Sequence, residues 1–256
     1  MDTFIIKQQQ PRWCLKTEHK MKRILLNYAS GGKFRESQIK NSQTGLMAGF
    51  NVVYQMSDKE IDLDFRAKNN RILSSKRGAG YWLWKPYFIT HLLKEMTEDD
   101  ILLYADSGSV FIKEVQPLFD KIAADKNGVG CFSMAGGHIE NLWTKRDLIT
   151  YMDAGKFAET PQRQASFMMF RGTEYAKQFA NEYLNLCCDY NLISDEPNTH
   201  GWEEAGFQGH RHDQSIWSLL TKVRGIDTMA EPTQWGQQHG ESKPEDQFIF
   251  HTRDPK

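Results

Sequence analysis

An aspartate stands directly after a short, continuously apolar stretch of the chain. The segment 101–105 reads ILLYA, and Asp106, Ser107 and Gly108 follow it. Ligands of open α/β sheets bind beyond the carboxyl ends of the strands, and a glycine lets a ligand approach the backbone closely. The pattern therefore predicts a carboxylate beside a binding crevice, with an ordinary turn or cap residue as the alternative.

A lysine follows a cluster of glycines and aromatic residues. Residues 78–86 read GAGYWLWKP, so Lys85 stands just before Pro86 at the start of a predicted helix. A cation opposes the helix dipole at that end unless an anion lies beside it, and helix N-termini bind phosphate groups. The motif predicts a phosphate site at Lys85, with a solvated lysine as the alternative.

Two further stretches bring ionisable side chains to the ends of predicted elements. Residues 209–217, GHRHDQSIW, place Asp213 at the start of an apolar helix, where it is either a general base or an N-cap. Residues 248–253, FIFHTR, predict a strand that delivers His251. Histidine binds metals and phosphates, so His251 is a candidate for either contact.

Alternating strands and helices must position these groups. Strands are predicted at 22–30, 50–56, 101–105, 130–134, 167–170 and 248–250, and helices at 34–49, 86–96, 114–124, 173–190 and 214–223. Capping boxes are predicted at Ser57 with Glu60 and at Thr144 with Asp147. Continuous apolar strands separated by helices are typical of an α/β fold with a mainly parallel, twisted central sheet flanked by helices.

The domain organisation follows from the same pattern. We expect an N-terminal extension at residues 1–20 and a single domain at 21–256, because no repeat or linker interrupts it. Two long polar tracts, 194–209 and 231–246, are candidate lids.

The composition excludes several classes of protein. The 256 residues contain 32 Lys and Arg against 33 Asp and Glu, and this balance argues against non-specific nucleic-acid binding. No apolar run approaches the roughly 18 residues that a membrane span needs. The first twenty residues lack the apolar segment of a secretory signal, so we expect a cytoplasmic protein. The four cysteines have no CxxC spacing that would indicate zinc or dithiol chemistry.

Three motifs together carry a resemblance to a known family. RGAGYWLWKP (77–86), DDILLYADSG (99–108) and RHDQSIWSLL (211–220) resemble those of small GT-A-type glycosyltransferases of large algal viruses and bacterial surface-glycan gene clusters. The resemblance covers roughly residues 21–253. It implies a GT-A-like single domain that moves a sugar from a nucleotide-diphosphate donor, such as UDP-xylose or a UDP-hexose, to an oligosaccharide or glycoprotein hydroxyl.

The family pattern also implies a divalent metal. GT-A enzymes bind the metal and the donor diphosphate with an Asp-x-Asp, whereas this sequence has Asp106-Ser107-Gly108 and lacks the second carboxylate. FIFHTR resembles the strand and histidine that complete the metal site in some retaining families, so the expected ligands of Mn²⁺ or Mg²⁺ are Asp106 and His251. The alternative is that Lys85 and Arg77 neutralise the diphosphate without a metal.

The remaining roles follow from the same resemblance. Donor binding is expected of Arg77, Lys85, Asp106, Ser107 and Gln214, and acceptor binding of His212 and Trp202. Asp213 is expected to be the base of an inverting reaction, whereas a retaining reaction would put Gln214 at the donor face.

Two other functions stay open. The missing second carboxylate suggests a non-catalytic domain that binds a glycan or a nucleotide sugar. A nucleotidyltransferase would share the α/β architecture and would need a glycine-rich phosphate loop after the first strand, to which ASGGK (29–33) corresponds only weakly.

Overall fold

The computed structural model describes residues 21–252, so the predicted extension at 1–20 lies outside the described residues. The strands are β1 (Arg23–Tyr28), β2 (Val52–Met56), β3 (Ile101–Ala105), β4 (Ser109–Phe111), β5 (Val129–Ser133), β6 (Arg163–Arg171), β7 (Thr228–Met229) and β8 (Ile249–His251). The helices are α1 (Gly32–Met47), α2 (Leu63–Lys68), α3 (Asn70–Leu73), α4 (Gly78–Tyr81), α5 (Trp84–Lys94), α6 (Gln116–Ala124), α7 (Glu140–Trp143), α8 (Arg146–Tyr151), α9 (Glu174–Cys187), α10 (Tyr190–Ile193), α11 (His212–Val223) and α12 (Gln234–Gln238).

Six strands form one sheet in the order β2-β1-β3-β6-β5-β7. β1 is parallel to β2 and β3, and β5 is parallel to β7, while β6 is antiparallel to both β3 and β5. The predicted, mainly parallel sheet is confirmed, with β6 as the one reversed strand. The chain returns into β6 from the carboxyl end of β5, so the start of β6 lies beside the carboxyl ends of its neighbours.

Both faces of the sheet are covered, which explains why its strands are continuously apolar. One core cluster joins α5, α9 and α11 to the sheet, with Phe88, Phe179 and Trp217 among its buried side chains. The other lies on the opposite face and includes Leu25 and Phe119. On that face α1 comes so close to the sheet that a Cβ at Gly45 would clash with Leu25 Cδ2.

Helix α11 is anchored as its sequence predicts. Ile216, Trp217, Leu219 and Leu220 are fully buried, and the Trp217 ring packs at 5.6 Å from Phe179. A fully buried apolar side chain contributes roughly 1.5–3 kcal/mol, so these four side chains hold α11 firmly against the sheet. The residues at the start of α11 are thereby fixed in space.

One of the two predicted capping boxes forms. Ser57 and Glu60 cap a short 3-10 helix, as predicted. The prediction at Thr144 and Asp147 was wrong, because the Thr144 hydroxyl donates to Glu140 and the Asp147 carboxylate accepts bonds from the tract after α10. Among residues 21–252, no helix combines the length and apolar character required to span a membrane.

Candidate functional site

A cleft of about 600 Å³ opens at the carboxyl edge of the large sheet. Asp106 after β3, Met134 after β5 and Ala165 at the start of β6 line it from the sheet. The start of α11 and the tract after β7 form further walls, and β8 contributes His251. Elements from distant parts of the sequence thus meet at the edge where ligands of α/β sheets bind.

A lysine with two carboxylates forms the charged centre of the cleft. Lys85 Nζ lies 2.7 Å from Asp213 Oδ2 and 3.8 Å from Asp106 Oδ1. The ammonium also donates to the Ala165 carbonyl at 3.0 Å, and the Tyr104 hydroxyl donates to Asp106 Oδ1 at 2.6 Å. Lys85 and Asp213 are only 3% and 4% exposed. The sequence predicted each of these three charged residues separately, and the structure brings them together.

Burial changes how the charged centre titrates. It raises the pKa of Asp213 to about 6, because the loss of hydration outweighs the attraction of Lys85 and Asp106 adds repulsion. The two carboxylates hold the pKa of Lys85 above its usual range despite its burial. The centre therefore pairs a permanent cation with a carboxylate that exchanges a proton close to neutral pH, which is typical of functional sites.

An unusual backbone segment delivers Lys85 to the cleft. In the turn before α5, Ala79, Tyr81 and Trp82 have φ of 50°, 50° and 61°. Such left-handed conformations cost of the order of 1–3 kcal/mol each in side-chain-bearing residues and are found at functional sites. The Trp84 ring stacks on Tyr28 at 3.7 Å, which ties the start of α5 to the end of β1.

His212 is held rigidly at one side of the cleft. Its ring lies 4.9 Å from Tyr81 and 5.3 Å from Trp82 and is 2% exposed. Arg77 Nε donates to His212 Nε2 at 2.7 Å, so Nδ1 carries the proton and donates to the Ile193 carbonyl. Burial lowers the pKa of His212, and the ring is therefore neutral near pH 7.

The other predicted donor-binding residues differ in their placement. The Arg77 guanidinium is paired with Asp195 at 3.2 Å. Gln214 lines the cleft, and its amide is fixed because Nε2 donates to Gln162 Oε1 at 3.0 Å. Ser107 is buried, and its hydroxyl donates to the Tyr28 carbonyl, so it ties β3 to β1 instead of facing the cleft.

A second cavity of about 650 Å³ adjoins the cleft. His210 lines both, and the predicted acceptor residue Trp202 lines the second cavity. Trp202 is 91% exposed and presents its indole to solvent. The predicted acceptor residues His212 and Trp202 thus belong to neighbouring cavities.

The residues predicted to hold Mn²⁺ or Mg²⁺ do not fit a divalent ion. Asp106 and His251 both line the cleft, and His251 pairs with Ser109 across β4 and β8. Within the described part of the chain, no group of three His, Cys, Asp or Glu side chains is arranged to hold a metal. Position 108 is glycine, and the Lys85 ammonium lies 3.8 Å from Asp106 Oδ1, where it would repel a divalent cation.

Sequence reasoning missed two charged residues of the cleft. Arg211 stands inside the motif that predicted Asp213, and its guanidinium lies 4.0 Å from the centre of the Trp143 ring. Glu231 begins the tract predicted as a lid and is buried, accepting from Gln164 at 2.7 Å. Burial raises the pKa of Glu231. Both residues lie in segments that the sequence analysis singled out and could have been proposed as cleft residues. Nothing in the sequence, however, indicates that their side chains enter the cleft.

Among comparisons with known proteins, only those with solved structures found a match, and they concern the fold of the chain. No family model matches the chain, and no curated protein matches its sequence. Mouse xyloside xylosyltransferase 1 in its apo form has 10% identity and a TM-score of 0.53, covering 91% of this chain and 99% of that one. The bifunctional glycosyltransferase WbbM has 9% identity and a TM-score of 0.53, covering 94% of this chain, which spans about half (47%) of WbbM.

A third solved structure is an active-site mutant of LgtC, in which glutamate replaces a glutamine. It has 10% identity and a TM-score of 0.50, and the match covers 91% of this chain and 88% of that one. The sheet order, the cleft at its carboxyl edge and these likenesses together lead to one conclusion: the chain has the GT-A-type fold of glycosyltransferases.

Proposed function

We propose that the chain is a glycosyltransferase that moves a sugar from a nucleotide-diphosphate donor to a glycan hydroxyl. UDP-xylose and UDP-hexoses are the first donor candidates, and an oligosaccharide or glycoprotein is the acceptor. The observation that carries the proposal is the Lys85, Asp213 and Asp106 cluster, because it puts a proton acceptor of near-neutral pKa in the ligand cleft of a GT-A-type fold.

The inverting reaction uses this cluster directly. The acceptor oxygen attacks the anomeric carbon of the donor sugar, the bond from that carbon to the diphosphate oxygen breaks, and the hydroxyl proton passes to Asp213. Lys85 holds the Asp213 carboxylate in position at 2.7 Å, and Asp106 accepts hydrogen bonds from donor hydroxyls. A base with a pKa of about 6 is ionised at neutral pH and still accepts a proton as the transition state forms.

The retaining reaction is the alternative. Gln214 would then line the donor face of the sugar, and its amide is already oriented by Gln162 and by the Ala165 backbone at 3.5 Å. The active-site glutamine named for the LgtC mutant makes this alternative worth testing. The anomeric configuration of the product distinguishes the two reactions.

The second cavity supplies a surface for the acceptor. Trp202 presents an exposed aromatic face there, and Asp195, Glu196 and Glu203 offer carboxylates to sugar hydroxyls. His210 lines both this cavity and the cleft, and the neutral His212 lines the cleft with the charged centre. An acceptor lying across them would direct one hydroxyl towards Asp213.

Trp202→Ala tests the acceptor site. We expect the KM for the acceptor to rise roughly 2- to 10-fold, the range of a single aromatic stacking contact, while donor binding and melting temperature stay unchanged. Tyr151→Ala, which removes another exposed aromatic residue, is the control in the same kinetic assay. An unchanged acceptor KM in Trp202→Ala would remove Trp202 from the acceptor site.

The function itself is tested with a panel of nucleotide sugars and glycan acceptors. Release of a nucleoside diphosphate together with a glycosylated product is the expected result. Pyrophosphate release would instead indicate a nucleotidyltransferase. Binding of a nucleotide sugar without transfer or hydrolysis would indicate a non-catalytic binding domain.

A further inference from the structure

Arg211 is a cleft cation without a carboxylate partner in the described part of the chain. Its guanidinium lies 4.0 Å from the centre of the Trp143 ring, and Nη1 lies 3.2 Å from Met134 Sδ. It makes no ion pair within 4.0 Å among residues 21–252. The other cleft cations differ in this respect, because Arg77 pairs with Asp195 and Lys85 with Asp213.

The position of Arg211 makes its unpaired charge energetically unfavourable. It is half-buried and immediately precedes α11, whose N-terminus carries the positive end of the helix dipole. Burial lowers its pKa to about 10, which still leaves it charged at neutral pH. A cation held there by an aromatic ring and a thioether is stabilised when an anion binds beside it.

Arg211 lines the same cleft as the predicted donor-binding residues Lys85, Asp106 and Gln214. Met134 directly follows β5 at the carboxyl edge of the sheet, and its sulfur contacts both Arg211 and Gln214. The backbone of Arg211 is fixed because its N–H donates to the Trp143 carbonyl at 3.1 Å. The guanidinium is therefore a preorganised group, and its planar fork matches two oxygens of a phosphate.

The carboxylates of the cleft give the complementary observation. Asp106 and Asp213 share Lys85, and Glu231 accepts from the neutral donors Gln164 and Thr233. Among the residues described, none of these three carboxylates belongs to a group of side chains that could hold a divalent cation. Each of these carboxylates therefore has a protein partner, charged or neutral, whereas Arg211 has no carboxylate within 4.0 Å among residues 21–252.

We propose that Arg211 binds the diphosphate of the donor directly, and that its guanidinium takes the place of a divalent metal ion in binding it. The inference rests on the proposed function, since it assumes a nucleoside diphosphate in the cleft. It assigns to Arg211 a donor contact that the sequence motifs assigned to Lys85 and Arg77.

Calorimetric titration of the protein with UDP and GDP, in EDTA and in Mn²⁺, tests the proposal without relying on turnover. We expect at least one of them to bind, with affinities in EDTA and in Mn²⁺ that agree within about two-fold. Arg211→Gln is expected to weaken that binding roughly 10- to 100-fold, the range of hydrogen bonds to charged groups. The loss should be smaller in high salt, because the missing contact is ionic.

Control variants separate the anion contact from a general effect on the fold. Arg224→Gln makes the same change at the other end of α11, where Arg224 pairs with the half-buried Glu182 outside the cleft, and it should bind like the wild type. Arg211→Lys keeps the charge without the planar fork and should bind with intermediate affinity. Melting temperatures of both Arg211 variants show whether the fold is retained.

The outcomes distinguish this inference from the proposed function. Binding that requires Mn²⁺, or Arg211→Gln binding as tightly as the wild type, overturns the inference while leaving a glycosyltransferase possible. Failure of both nucleotides, and of the nucleotide-sugar panel, to bind the wild-type protein in either condition overturns the proposed function as well.

Discussion

Replacing Lys85 with methionine is expected to lower the free energy of unfolding by about 3–5 kcal/mol near neutral pH. Lys85 Nζ lies 2.7 Å from Asp213 Oδ2 and the two side chains are only 4% and 5% exposed. Methionine fills most of the volume but leaves the Asp213 carboxylate buried without its cation. Chemical denaturation of the wild type and the variant measures the loss, and Lys94→Met on the exposed side of α5 is the control.

The loss in Lys85→Met should depend on pH in a defined direction. Without Lys85, the native-state pKa of Asp213 rises above its value of about 6, whereas the unfolded chain titrates at about 3.9. Between these values the native state binds more protons than the unfolded state, so the free energy of unfolding falls as pH rises. In the wild type, the free energy of unfolding stops falling once the pH exceeds the Asp213 pKa of about 6. In the variant the pKa of Asp213 is higher, so the free energy of unfolding continues to fall above that pH.

The deficit of Lys85→Met should therefore be larger at about pH 8 than at about pH 5. The double variant Lys85→Met/Asp213→Asn should recover much of the lost stability, because it removes both members of the buried pair. The remaining carboxylate, Asp106, is 17% exposed and keeps the hydrogen bond from Tyr104. A single-variant loss below about 1 kcal/mol that does not change with pH would contradict the buried ion pair.

Much of the sheet could be predicted from the sequence because its central strands are buried on both faces. The runs that became β1 and β3 are buried almost throughout, which is a strong local signal, whereas the partly exposed edge strand β2 was predicted from its β-branched and aromatic residues. The direction of β6 could not be predicted. It is also a nearly continuous apolar run, and such a run has the same composition whichever way it enters the sheet.

Two of the three short strands, β4 and β7, were beyond local reasoning for a different reason. β4 has three residues and pairs with β8, which lies at the far end of the chain. β7 has two residues and is specified by its pairing with β5. Segments this short form because a distant partner supplies the hydrogen bonds, and no periodicity within them records that partner.

The candidate site was predicted in its parts and not in its assembly. Asp106, Lys85 and Asp213 were each chosen from their place at the end of an element, and all three line one cleft. The sequence favoured a phosphate or solvent beside Lys85, whereas its ammonium lies between two carboxylates. That contact depends on how α5 and α11 pack on the sheet, and spacing along the chain does not report it.

Asp213→Asn is expected to lower the transfer rate by roughly 10²–10⁴ while leaving donor affinity unchanged. The carboxylate is held by Lys85 at 2.7 Å and by the Tyr183 hydroxyl at 3.4 Å, and α11 fixes its backbone. It does not serve as the helix cap, because α11 begins after Arg211 without a side-chain capping bond. Loss of the variant's activity would therefore reflect the missing base and not an unwound helix.

The stability of Asp213→Asn should fall less than that of Lys85→Met. Lys85 would still have Asp106 at 3.8 Å and the Ala165 carbonyl at 3.0 Å, so the remaining charge is not isolated. Asp100→Asn is the matched control, since Asp100 is fully buried and accepts from the Lys22 and Thr97 backbones at the opposite end of β3. It should lose stability without a selective loss of transfer.

The pH dependence of transfer separates a base from a structural carboxylate. With Asp213 as the base, kcat/KM in the wild type should rise with pH up to about 6 and level off above it, since only the ionised carboxylate accepts the proton. Asp213→Asn should lose this rising limb together with the rate. A variant that transfers at nearly the wild-type rate with the same pH profile, or a product that retains the anomeric configuration of the donor, would remove Asp213 as the base. Gln214, which lines the same cleft with its amide already fixed by Gln162, would then be the residue to substitute next.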